Sequence, residues 1–215
     1  MREIHKRKKA GIKDFILRNI HDNLKSYLIV IILFIIGIVA GVIFINNANE
    51  AQGVEIQDYI NSFISSLKQD YHIDKMELLK SSLWDNFILI ISMWFIGSTV
   101  IGIPIVFGIV IFRGFCIGYA VSSAVAVLGA QKGIIFLITT MFLQNIIFIP
   151  VIICMAVSCI RLYKSIMKDK RRENIKLEII RHTLVSIMLF IVLVLATLIE
   201  VYISTNLLML CLSAL

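Results

Sequence analysis

Few side chains in this sequence could do chemistry inside its long apolar runs, and those few are amides, hydroxyls and one carboxylate. Gln144 and Asn145 stand side by side just ahead of Pro150, with Thr139, Thr140, Ser122 and Ser123 at comparable depth. Amides and hydroxyls of this kind hydrogen-bond between neighbouring membrane helices, so interhelical glue is the plain reading of the pair and solute contact the sharper one. The Asn145 amide could also serve a backbone carbonyl that Pro150 leaves without its donor. Glu200 falls about 17 positions into its apolar run, near one membrane face, where a carboxylate reaches water by snorkelling.

Catalysis would need more than this. His5, His21, His72 and His182 all lie in or beside polar segments, and none belongs to an HExxH pair. No GxSxG, no P-loop and no intramembrane aspartate pair occurs. Cys116, Cys154, Cys159 and Cys211 sit singly in apolar runs, without CxxC or Cys/His spacing, and read as small hydrophobes. The sequence therefore predicts a protein that is not an enzyme and has no cofactor, metal or catalytic residue.

The elements that must hold these groups are membrane helices. Of 215 residues, 59% are hydrophobic and only 16% charged. No water-soluble domain can hide that much apolar surface. Several runs of 18 or more apolar residues predict an all-α, polytopic integral membrane protein, and no ten-residue alternating segments suggest a β-barrel. Residues 1–26 read as a basic amphipathic segment and residues 27–215 as one helical membrane domain. Its expected spans are 27–45, 87–112, 114–130, 134–160 and 183–203. Pro104, between Gly102 and Gly108, is expected to kink the second span and Arg113 to end it. Gln131-Lys132-Gly133 is expected to turn the third span straight back into the fourth. Residues 204–215 are expected to leave the last span near Ser204 and lie in the interface.

Charge sets the orientation. Residues 1–26 and 161–182 each carry eight Lys/Arg, whereas the outer segment 46–86 carries seven acids and three lysines. With five crossings the positive-inside rule places the N-terminus in the cytoplasm and the C-terminus outside. The net charge of +7 thus belongs to membrane topology and anionic lipid, and no nucleic-acid motif accompanies it. Within the outer segment, Ile56, Tyr59, Ile60, Phe63, Ile64 and Leu67 recur at helical spacing. That apolar face either rests on the protein's own spans and lipid or docks an external partner.

Two patterns of small residues invite close helix contact. Gly37 and Gly41 form a GxxxG pair in the first span, and Gly114, Gly118, Ser122, Ala126 and Ala130 recur at every fourth position. The partner of this second stripe is another span of the same chain or of a second copy, which would make a homo-oligomer.

The combination and order of three stretches carry a resemblance. Arg113-Gly-Phe-x-x-Gly118-Tyr, the turn Gly129-Ala-Gln-Lys-Gly133, and Leu143-Gln-Asn-Ile-Ile-Phe-Ile-Pro150 resemble the central hairpin of the stage II sporulation protein M family. The likeness extends to the whole layout, with a basic N-terminus, an external segment after span one and a basic loop before the last span. Wider relatives often carry a His-Gly pair and a carboxylate where this chain has Gln144, Asn145 and Ile149. The resemblance implies a membrane component of the engulfment machinery at the sporulation septum, on the mother-cell side. It also implies partnership with two peptidoglycan-remodelling proteins, a transglycosylase and an amidase/endopeptidase, with no catalysis of its own.

Two functions follow from the sequence. One is a non-enzymatic scaffold that recruits wall-remodelling enzymes through its spans or through residues 46–86. The other is a small permease or channel-like subunit, which would need a cavity at mid-depth lined by Gln144 and Asn145. A scaffold can be solid there.

Overall fold

The computed structural model describes residue 21 and residues 23–68, 75–99, 101–138, 143–168 and 172–204. The basic residues 1–20, expected to be amphipathic, and the tail 205–215 lie outside the described residues. Among the described residues, seven α-helices follow one another: α1 Leu24–Asn46, α2 Glu50–Lys68, α3 Lys75–Gly97, α4 Gly102–Leu128, α5 Ala130–Leu137, α6 Leu143–Lys168 and α7 Arg172–Ile199. A π-helical turn, Glu200–Ser204, closes α7. Five of these helices, α1, α3, α4, α6 and α7, are long and apolar enough to cross a membrane. The chain is an all-helical, multi-pass membrane protein.

Three expected spans are redrawn. The second span does not run from 87 to 112; α3 starts at Lys75 and stops at Gly97. Arg113 ends nothing, because α4 passes through it from Gly102 to Leu128 in place of the expected span 114–130. The break lies at Gly97-Ser98-Thr99, where the last carbonyls accept side-chain hydroxyls as well as backbone amides: Ser98 Oγ donates to the Trp94 carbonyl at 2.7 Å and Thr99 Oγ1 to that of Ile96 at 2.7 Å. Pro104 then falls in the first turn of α4 and kinks nothing. The amide it lacks is one that a helix start leaves unbonded anyway. The expected fourth span, 134–160, is likewise two helices, with α5 ending at Leu137 and α6 beginning at Leu143. Pro150 is accommodated inside α6.

α6 is the central post. Half of its membrane window is buried in the protein, against 22–28% for the other four spans. Met155, Ile152, Ala156 and Cys159 of α6 meet Met93 of α3, Val106 and Val110 of α4 and Leu193 of α7 in one apolar core. The outward faces of the spans carry large exposed aliphatic residues such as Ile32, Ile35, Ile187 and Ile191, as lipid-facing surfaces do. Beyond the core, α6 and α7 meet near their linked ends through Arg161 and Glu178, 3.2 Å apart, and Lys164 Nζ donates to Ser26 Oγ at 2.9 Å.

The tightest contact is the crossing of α1 and α4. A Cβ built on Gly37 would strike the carbonyl of Ile111, and one on Gly41 the carbonyl of Phe115. In return, Gly114 lies against the Phe34 carbonyl and Gly118 against that of Ile38. Four glycines, two from each helix, thus let two backbones touch, where dispersion accumulates over many atom pairs. The small-residue stripe does not continue along this contact. A step of four residues drifts by about 40° on a 3.6-residue helix, so positions further along α4 rotate off the seam. Ser122 is half-buried, and Ala126 and Ala130 are exposed.

α2 begins in a capping box. The Gln52 amide donates to Asn49 Oδ1 at 2.9 Å, and the Asn49 amide to Gln52 Oε1 at 3.2 Å. Its apolar face lies on the protein's own helices: Ile64 packs on Ala124 and Phe136, and the rings of Phe63 and Phe136 meet edge to face at 6.3 Å. Tyr59, 75% exposed, and Val54 remain outside this contact.

Gly118→Leu should destabilise the purified protein by at least about 1–3 kcal/mol, the usual cost of overpacking, because the obstructing atoms are backbone. Gly108→Ala, where a new Cβ meets nothing within 4 Å, should be neutral or stabilising. Thermal unfolding in detergent checks both; equal melting of Gly118→Leu and wild type would refute the crossing.

Candidate functional site: a charged cavity between three spans

The polar residues of α3 are not scattered. Ser82, Asp85, Asn86 and Ser92, with Leu89 among them, follow the i, i+3, i+4, i+7 and i+10 spacing of one helix face. Opposite them stand Arg113, Cys116 and Ile117 of α4 and Asn145 and Phe148 of α6. Together these residues line a cavity of about 440 Å³.

Arg113 is the least expected member. It lies 11 residues after Gly102 and 15 before Leu128, about 16 Å and 22 Å from the helix ends, and so near mid-depth of a spanning helix. A guanidinium there is costly unless it faces a cavity or a partner. Its carbon sits 5.0 Å from the centre of the Phe148 ring, a cation–π contact that offsets part of that cost. Arg113 and Asp85 line the same cavity. Among the described residues no carboxylate approaches Arg113 to ion-pair distance.

The rest of the lining is fixed from behind. Asn86, only 6% exposed, donates through Nδ2 to Thr197 Oγ1 at 2.9 Å, and Thr197 Oγ1 donates to the Leu193 carbonyl at 2.9 Å. This chain ties the α3 face to α7. Below it, Trp94 Nε1 donates to Thr183 Oγ1 at 3.1 Å, a second tie between the same helices. Such a rigid wall can orient a polar solute by hydrogen bonds and opposite charges. No group of three or more His, Cys, Asp or Glu able to hold a metal ion occurs among the described residues.

The residues singled out from sequence are not gathered at one place. Gly114 and Gly118 lie at the α1–α4 crossing, and Asn145 lines the cavity. Gln144 belongs to α6, but its side chain lies outside the described residues. Pro150 is exposed on α6, away from the cavity lining. Sequence reasoning missed Asp85, Asn86 and Arg113, since hydropathy starts the apolar run at Phe87 and stops it at Arg113. The signal available was the helical spacing of Ser82, Asp85, Asn86 and Ser92, which carries a single polar face on into the apolar run. His182 is also corrected. Expected beside a polar segment, it is 2% exposed between α6 and α7, with Nδ1 2.8 Å from Ser158 Oγ.

The model of the family described as Stage II sporulation protein M matches residues 30–205 of this chain, a stretch that holds the crossing glycines and the whole cavity lining. No curated protein and no solved structure matches it.

The wild type carries its own probe of the cavity. Cys116 lines it, whereas Cys159 is fully buried in the apolar core. A charged, membrane-impermeant thiol reagent should label Cys116 at least about tenfold faster than Cys159, because a thiol buried in apolar surroundings neither ionises nor meets the reagent. Mass mapping of the labelled peptides reads the ratio; equal, slow labelling would mean that the cavity is closed to water.

Proposed function

The chain belongs to the stage II sporulation protein M family, and from that premise we propose that it is a non-enzymatic membrane scaffold of sporulation engulfment. It anchors peptidoglycan-remodelling enzymes, a transglycosylase and an amidase/endopeptidase, at the septal membrane on the mother-cell side. The observation that carries this reading is the placement of α2. Its inward face is spent on Phe136 and Ala124, while Tyr59 and Val54 stay exposed and Glu50, Glu55 and Asp58 add negative charge. A helix held on the rim of the bundle, with exposed acids and with Tyr59 75% exposed at the edge of the cavity it shares with Phe44 and Tyr119, suits a partner better than it suits lipid.

The orientation belongs to the same proposal. With Arg113 inside the bundle, sixteen Lys/Arg fall on the side of residues 1–26 and 161–182 and four on the side of α2. The positive-inside rule then puts α2 outside, in the space that faces peptidoglycan.

The charged cavity favours a second reading, a small permease or channel-like subunit, since Asn145 does line a space together with Arg113. A permease needs that space to open alternately to both sides. In the permease, an Asn145→Cys variant reacts with charged reagent from either face of inside-out and right-side-out vesicles. In the scaffold it reacts from one face at most.

Co-purification tests the scaffold. Tyr59→Ala combined with Asp58→Lys should reduce recovery of both enzymes by about tenfold, as loss of one aromatic anchor and reversal of one rim charge would. Melting should change little, because Tyr59 and Asp58 are both largely exposed. Undiminished recovery would remove α2 as the dock.

A further inference from the structure

The cavity holds one full charge of each sign, and this balance restricts what can occupy it. Arg113 offers a planar fork of donors suited to a carboxylate or phosphate, and Phe148 holds that fork from one side at 5.0 Å. Asp85 offers an acceptor for an ammonium group from the α3 wall. A simple anion entering the space would be attracted by Arg113 and repelled by Asp85, and a simple cation the reverse. Only a solute that carries both charges is matched at both walls. Ser82, Ser92, Asn86 and Asn145 add neutral donors and acceptors around them, and about 440 Å³ exceeds the size of a small amino acid.

We propose that the space between α3, α4 and α6 is a binding site for a small zwitterionic group, its anionic end on Arg113 and its ammonium on Asp85. The geometry is independent of whether the protein is a scaffold or a permease. Arg113 at mid-depth, with no carboxylate among the described residues at ion-pair distance, is the observation that asks for a complement, since an uncompensated guanidinium in a span is costly. Asp85 on the facing wall determines which complement fits. The same chemistry is available from a free amino acid and from the headgroup of phosphatidylethanolamine. The cavity is bounded by three spans, so a lipid could enter between helices and a free solute from the aqueous end.

The full-length chain, reconstituted in nanodiscs of phosphatidylglycerol alone, is titrated with L-alanine, phosphoethanolamine, acetate and ethylamine while its thermal unfolding is followed. A zwitterion should bind at least about tenfold more tightly than acetate or ethylamine, the loss of one charge-assisted contact. A parallel set of nanodiscs containing phosphatidylethanolamine identifies the source. Stabilisation by that lipid which soluble phosphoethanolamine and alanine fail to reproduce assigns the headgroup; stabilisation by the soluble probes assigns a free solute. Asp85→Asn should invert the selectivity, so that acetate binds at least as well as alanine, because Arg113 then stands unopposed. Arg113→Gln should abolish the response to every anionic probe. A wild type that responds to no zwitterion in either nanodisc, or responds equally to acetate, overturns the proposal without reference to how any variant folds. An Asp85→Asn protein that still prefers alanine over acetate overturns it as well.

Discussion

Backbone meets backbone where α1 crosses α4, and that contact sets which face α4 turns to the core around α6. In a membrane no hydrophobic gain drives two helices together, because lipid tails are as apolar as the side chains they replace. What remains is packing, and packing is greatest where no side chain intervenes. Gly37 and Gly41 meet the carbonyls of Ile111 and Phe115, while Gly114 and Gly118 meet those of Phe34 and Ile38. This fixes the rotation of α4 about its own axis. With one face of α4 committed to α1, the neighbouring Arg113 is carried to the face shared by α3 and α6. The glycines and the arginine are one constraint expressed in two places.

The parts of the fold that could be read from sequence are those where hydropathy and helix coincide. α1, bounded by polar residues at both ends, differs from its expected limits by only a few residues. α3 and α4 differ by more than ten because the polar-to-apolar boundary and the helix boundary are different things. α3 is helical from Lys75 although its first three turns are polar, and α4 stays helical through a charge that hydropathy treats as a stop. The candidate site shows the same limit. Asn145 is visible as a polar residue in an apolar run, but Asp85 and Asn86 look like loop and Arg113 looks like a terminus. Only tertiary placement turns those three into a common wall. A sequence search for polar residues that repeat on one helix face across a hydropathy boundary would have found Ser82, Asp85, Asn86 and Ser92.

Scaffold and ligand site are compatible because they occupy different parts of the molecule. The outer face of α2 is at the rim, and the cavity is between spans, backed by Asn86 and Thr197. A bound zwitterion would neutralise the two charges that the bundle otherwise leaves facing each other, and so would favour the packed arrangement of α3, α4 and α6 by mass action. Occupancy could thereby govern how firmly the anchoring bundle holds together, even where nothing is transported.

The attachment of α2 has a consequence for how the molecule yields. A capping box gives this helix its own start, and among the described residues its hold on the bundle includes one aromatic and aliphatic patch, Phe63 and Ile64 on Phe136 and Ala124. Burial of two such side chains is worth only about 3–6 kcal/mol at most, and less where they remain half exposed. The glycine crossing and the α6 core lie elsewhere and lose nothing when that patch parts. α2 is therefore a local opening unit, able to swing from the rim as an intact helix while the spans stay assembled. If α2 docks a partner as proposed, a pull on that partner would be relieved first at this patch, ahead of the bundle behind it.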